Sequence, residues 1–305
     1  SGYAPLFKLK QPLKPKKVPA SSALSPLTLL TLAACGGGGG GSSPNASGFG
    51  VSGNAVAGPI NGAVAFVDYD EDGTLDAGEP YAYTNALGAF SLTSTDADAP
   101  IVVTTDSTTA GGLTINAIDT SSDTSLSGVT LKAPSGSSVV SPTSTVAFDL
   151  MKINGLNEAE VATALGLEGV AILSFNPYAP GVDVDTALKV EKVASQVMTT
   201  VKAVAAAAEG AGAVLEDAAN EAFSALVTVV QAKAAAGSSF DLTNTADLAL
   251  LETQASNNLA SASGIDTSAF NTILDTAMDS VEVVNTAIKN ITDTDLSSSA
   301  NKGVF

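Results

Sequence analysis

Histidine, arginine and tryptophan are absent from the 305 residues, and cysteine occurs once. Without imidazole there is no Ser-His or Cys-His nucleophile pair and no histidine metal ligand. Without guanidinium there is no planar fork for phosphates or base edges, and a formal charge of −18 repels nucleic acid. The lone thiol, Cys35, excludes an intramolecular disulfide and a multi-thiolate zinc site. These absences point to a non-enzymatic protein with no nucleic-acid partner.

The charge that is present is unevenly placed. Residues 1–42 hold five lysines (Lys8, Lys10, Lys14, Lys16 and Lys17) and no acid, while the rest of the chain sets eight lysines against all 31 acidic residues. A basic arm on an acidic body can dock on its own body, on a neighbouring copy or on an anionic surface, or it can be a solvated tail. Within the arm, Leu27, Leu29, Leu30 and Leu32 lie in a β-branched apolar run too short to span a bilayer, followed by Cys35 and six glycines, Gly36 to Gly41. Three readings stay open. Leu32-Ala33-Ala34-Cys35 resembles a bacterial lipobox, which would lipidate Cys35 and make it a membrane anchor. Alternatively, the leucines form a strand donated to the next subunit across the glycine tether, or a strand within the same chain. The small-residue, low-lysine composition suits a secreted surface protein.

From Phe49 to Pro134 short β-prone runs alternate with turn residues such as Gly58-Pro59, Gly111-Gly112 and Ser127-Gly128. Strands are expected at 51–56, 63–68, 81–84, 89–93, 101–105, 113–118 and 129–132. Seven such strands suggest a small antiparallel sandwich of immunoglobulin type over residues 49–135.

Between the second and third of them runs Asp68-Tyr69-Asp70-Glu71-Asp72-Gly73-Thr74-Leu75-Asp76-Ala77-Gly78-Glu79. This fits the twelve-residue calcium loop: Asp68, Asp70 and Asp72 at positions 1, 3 and 5, and Gly73 for the sharp turn. Thr74 offers a backbone carbonyl, Asp76 a direct or water-mediated contact, and Glu79 a bidentate carboxylate. Flanking strands in place of helices favour a structural staple over a sensor. The segment from Gly58-Pro59-Ile60-Asn61-Gly62, through this loop and Glu79-Pro80, to Thr84-Asn85-Ala86-Leu87-Gly88-Ala89-Phe90 resembles the immunoglobulin-like B-type modules of bacterial surface adhesins and related carboxypeptidase-regulatory-like modules. The resemblance covers about residues 50–95. It implies an extracellular, non-catalytic module in which Asp68, Asp70, Asp72, Thr74, Asp76 and Glu79 serve calcium.

Beyond Ser141-Pro142-Thr143 apolar residues recur at helical spacing. Helices are expected at 144–153, after Asn157 with Glu160 closing a capping box, and at 186–208, 213–236, 245–262 and 267–291, the last capped by Asp266. Antiparallel packing of the longer ones makes a bundle over residues 136–305. Asp266-Thr267-Ser268 matches part of an aspartic-protease triplet but lacks its glycine and reads as a helix cap. Lys132 is a candidate for a side-chain isopeptide bond, and Asn45 and Asn290 lie in glycosylation sequons.

The expectation is therefore an α+β chain: a basic arm at 1–48, an immunoglobulin-like calcium-binding β-sandwich, and a C-terminal antiparallel helical bundle. Its function reads as a self-assembling subunit of a bacterial extracellular filament or surface layer, a homopolymer joined by strand donation and rigidified by calcium. The alternative is a monomeric calcium-binding adhesin at the cell surface, lipid-anchored at Cys35. No receptor or glycan ligand is legible.

Overall fold

Val64–Val67 and Ile101–Thr104 are apolar or β-branched at every position, the pattern of strands buried on both faces. They form the middle of a four-stranded sheet. The computed structural model describes residues 48–259, 265–298 and 300–302, and among these the chain is α+β, with ten strands in three sheets and six helices. The residues of the basic arm, including Leu27, Leu29, Leu30, Leu32 and Cys35, lie outside the described residues.

The strands are β1 (Phe49–Ala55), β2 (Ile60–Asn61), β3 (Val64–Val67), β4 (Tyr81–Tyr83), β5 (Ala89–Ser94), β6 (Ile101–Thr104), β7 (Ala117–Asp119), β8 (Thr124–Leu126), β9 (Thr130–Ala133) and β10 (Val139–Val140). Their sheet orders are β10-β1-β5, β2-β7-β8 and β4-β3-β6-β9. Every pairing is antiparallel except β1 with β10, which run parallel with Asn54 opposite Val139. Ten strands replace the seven expected, because β2, β8 and β10 are too short to show any periodicity. The strand expected over 113–118 contracts to β7. Leu113 and Ile115 instead plug, partly buried, onto the cluster of Val64, Phe66, Leu75, Val102 and Ala110 on one face of the four-stranded sheet.

The other face of that sheet, with Ala65, Val67, Ile101, Val103, Leu131 and Ala133, belongs to a larger core that continues without a break into the helices. These are α1 (Pro142–Asn154), α2 (Glu158–Ala164), α3 (Val184–Gly210), α4 (Leu215–Ala235), α5 (Thr245–Leu259) and α6 (Thr267–Lys289). Helix α1 starts earlier than expected. Ser141 is its N-cap, accepting from the Ser144 N–H while the Ser144 hydroxyl accepts from the Ser141 N–H, and Pro142 fills the first turn. Asn157 and Glu160 make the expected capping box, and Asp266 caps α6 through the Ala269 N–H.

Helix α1 lies on β9 and also meets α3 and α4; the long helices meet as α3 with α4, α4 with α5, α5 with α6 and α6 with α3. Between them Phe270, Leu274, Leu226, Leu251 and Leu259 are fully buried. One polar node crosses this interior: Asn285 on α6 donates through Nδ2 to Thr200 Oγ1 (3.0 Å) and to the Leu242 carbonyl (2.9 Å), and its main-chain carbonyl accepts from Gln196 Nε2 (2.8 Å). Among the described residues, no helix is long and apolar enough to cross a membrane.

Candidate metal centre

The loop of residues 68–79 leaves β3 and returns as β4, so its two ends are held by an antiparallel ladder. Leu75 points back into the small core beside Val64 and Phe66, and its N–H donates to the Thr109 carbonyl at 2.7 Å. Between these anchors the backbone turns sharply, with φ of 62° at Glu71 and 85° at Gly73. The second suits glycine, which carries no Cβ to clash in the left-handed region. Helix α1 reaches the loop through an ion pair from Lys152 to Glu71, and the Lys132 ammonium stands behind Gly73, where a Cβ would come within 3.3 Å of Nζ.

Five expected carboxylates converge here. Oxygens of Asp68, Asp70 and Glu79 lie within 4.8 Å of one another, as do those of Asp70, Asp72 and Asp76, so Asp70 joins the two groups. Glu79 spans the loop ends, with Oε1 accepting the Tyr69 N–H (2.5 Å) and Oε2 the Asp76 N–H (2.9 Å). Asp68 Oδ2 accepts the Gly73 N–H (2.8 Å), and Asp72 Oδ1 accepts the Thr74 N–H (2.7 Å). Asp68 is 2 % exposed, and its second oxygen, Oδ1, is buried with no hydrogen-bond partner. Burial is the main force raising the Asp68 pKa, and the charges of Asp72 and Asp70 add to it against the Gly73 and Glu71 N–H groups. Burial likewise raises Glu79, aided by Asp68 and Asp70.

A buried carboxylate oxygen without a donor costs free energy unless a cation meets it. The residues present therefore fit a hard metal ion: oxygen ligands only, several charges, one orphaned lone-pair site. The cluster could hold a metal ion.

No protein-family model matches the chain, and neither the curated proteins nor the solved structures yield a match.

The other residues singled out by motif fall apart spatially. Asp266 is a helix cap, and Asn290 is the exposed C-cap of α6. Lys132 donates its backbone N–H to Thr145 Oγ1, and its charge draws the half-buried Asp149 carboxyl down against a larger burial effect that leaves it raised. A second set of buried acids was not legible. Asp119 on β7 accepts from the Ser121 N–H (2.8 Å) and from the hydroxyls of Ser121 (2.6 Å) and Ser122 (2.7 Å). Glu191 on α3 accepts the Gly58 N–H at 3.2 Å, with Tyr178 and Asp119 close by. In sequence each is one acid within a polar stretch, and only the packing of α3 against the β2–β7 region buries them.

Proposed function

We propose that this protein is a non-enzymatic, extracellular structural subunit whose β-portion is an immunoglobulin-like module stapled by calcium. The observation that carries the reading is the orphaned, buried Asp68 Oδ1 inside a loop whose acidic spacing suits a calcium ion. Asp68, Asp70, Asp72, Asp76 and Glu79 would hold the ion, with the Thr74 carbonyl as a further ligand. Bound calcium supplies positive charge that relieves carboxylate repulsion and ties the ends of β3 and β4 to the loop. The ring of α3, α4, α5 and α6 is read as an antiparallel bundle backing that module. In this reading the basic, leucine-bearing arm joins one copy to the next by strand donation, giving a homopolymeric filament or layer. The arm–body charge asymmetry supports it, since a segment whose only charged side chains are lysines is drawn to a neighbour whose body carries all the acid.

Two measurements test it separately. Calorimetric calcium titration of the full chain is expected to give a dissociation constant on the order of 10⁻⁴ to 10⁻³ M, lost in Asp70→Asn. Absence of binding removes calcium from the account. Electron microscopy in calcium buffer is expected to show regular fibres or sheets that vanish when residues 1–42 are deleted; assembly unaffected by that deletion refutes strand donation. The Leu32-Ala33-Ala34-Cys35 motif favours a second reading, a lipid-anchored adhesin. Mass spectrometry showing acylated Cys35 would establish it, with dispersed single-chain particles in the microscope.

A further inference from the structure

The register of the four-stranded sheet places one lysine behind the acidic loop. Lys132 on β9 is paired with Val102 on β6, and paired residues share a face. Its side chain therefore leaves the sheet on the side where Val64, Phe66, Val102 and Leu75 cluster, while Leu131 and Ala133 point the other way into the large core. Leu75 pins the loop to that same side. The Lys132 stem ends against Gly73, where a Cβ would stand 3.3 Å from Nζ and 3.7 Å from Cε. The Gly73 N–H donates to Asp68 Oδ2 at 2.8 Å. With ordinary bond lengths these contacts put the ammonium within about 9 Å of the Asp68 carboxylate.

Lys132 is half-buried, and among the described residues its ammonium makes no ion pair and no hydrogen bond. Asp149 on α1 feels its charge and that of Lys152 without pairing with either, and Lys152 is committed to Glu71. With Glu71 answered in this way, the five converging carboxylates have Lys132 as the cation behind them. Crowded carboxylates repel one another, and a fixed cation at this range lowers that cost. The same charge repels an incoming metal. At about 10 Å a unit charge weakens the binding of a divalent ion about threefold at low salt, even in the dielectric of bulk water.

We propose that Lys132 is the built-in counter-cation of the acidic loop: it steadies the metal-free loop and, by competing with the ion, sets a weak affinity. The inference rests on the calcium reading of the loop and adds to it a residue that is not a ligand. Removing the ammonium destabilises the metal-free protein more than the calcium-saturated one, and by linkage that difference appears as tighter binding. Position makes the effect. A lysine elsewhere on a chain at −18 acts on the loop only through screening solvent.

The test is calorimetric titration of the full chain with calcium chloride, at low and at high salt, joined to thermal melting in chelator and in saturating calcium. Lys132→Gln is expected to bind calcium at least about threefold more tightly at low salt, with the gap narrowing at high salt. Its melting temperature should fall further below the parent's in chelator than in calcium. Lys132→Met, which keeps an apolar stem against the loop, is expected to behave alike, and Lys132→Arg to retain the parent affinity. Lys189→Gln removes the same charge from an exposed position on α3 at another cavity and should leave the affinity unchanged. A parent chain that binds no calcium overturns the calcium reading and this inference with it. A parent chain that binds, with Lys132→Gln and Lys132→Met binding equally or more weakly, overturns the inference alone. Lys189→Gln tightening as much as Lys132→Gln does the same.

Discussion

Glu191 gives the most direct test of how the β-portion and α3 are joined. It is 1 % exposed; one carboxylate oxygen takes the Gly58 N–H and the other, Oε2, is buried without a hydrogen-bond partner. Burial pushes its pKa from 4.5 up to about 7, the Gly58 N–H and the nearby Tyr178 hydroxyl pull it back, and the Asp119 charge adds to the rise. Between those two values the folded state keeps a proton that the unfolded chain has released. Stability from this group is therefore whole below pH 4.5, falls as pH rises through about 7, and is constant above. A shift of that size corresponds to about 3 kcal/mol. In a chain of 305 residues that is about 5 °C of melting temperature. The assay is calorimetric melting of the parent chain and of Glu191→Gln at pH 5, 6, 7 and 8, in saturating calcium and constant salt. Glutamine keeps the acceptor for Gly58 and cannot ionise. The other acids titrate in both proteins, so the difference between the two curves isolates Glu191. Relative to the parent, Glu191→Gln should gain about 2.5 kcal/mol between pH 5 and pH 8, the remainder of the effect lying below pH 5. Parallel curves would refute the reasoning and mean that Glu191 is ionised in the folded protein at neutral pH.

Phe270→Ala, at a fully buried position on α6, should cost about 3–5 kcal/mol in urea denaturation. Gly58→Ala should destabilise strongly, because φ is +61° and the new Cβ would overlap Asp119 Oδ1; Gly78→Ala, at φ +106° in open space, carries only the backbone cost, so equal losses would contradict the packing described. Ser141→Ala removes the α1 cap and should cost about 1 kcal/mol, measured the same way. Chelating calcium should lower a single calorimetric transition, since one core runs from the sheets into the helices; two separated transitions would contradict that continuity.

Much of this was readable along the chain, for reasons that differ by element. The acidic cluster was legible because its five carboxylates all fall within twelve consecutive residues, so the spacing from Asp68 to Glu79 is enough to bring them together. The helices were legible through their apolar recurrence and through Asn157, Glu160 and Asp266, whose capping bonds span only three residues. Ser141 and Ser144 were missed as a start because the reciprocal cap there uses a second serine in place of glutamate. The strands β2, β8 and β10 offer two or three residues each, fewer than one full alternation. Glu191 stands between Val190 and Lys192 and reads as part of a solvated face. Its burial depends on Gly58 and Tyr178, which tertiary packing alone brings to it.

The position of β1 bears on the order in which the chain can fold. Among the described residues β1 is the first strand to leave the ribosome; it lies between β5 and β10, and its parallel partner is the last of the described strands. β10 is followed at once by the Ser141 cap, and the N–H groups of Ser138 and Val139 donate to the carbonyl of Leu173, beyond α2. A nascent chain stopped after residue 135 thus has β1 with one open edge. Closing that edge demands contacts of high sequence separation, which are slow to form and leave a strand exposed to wrong partners meanwhile. Synthesis of the helical half is therefore a condition for completing the β half.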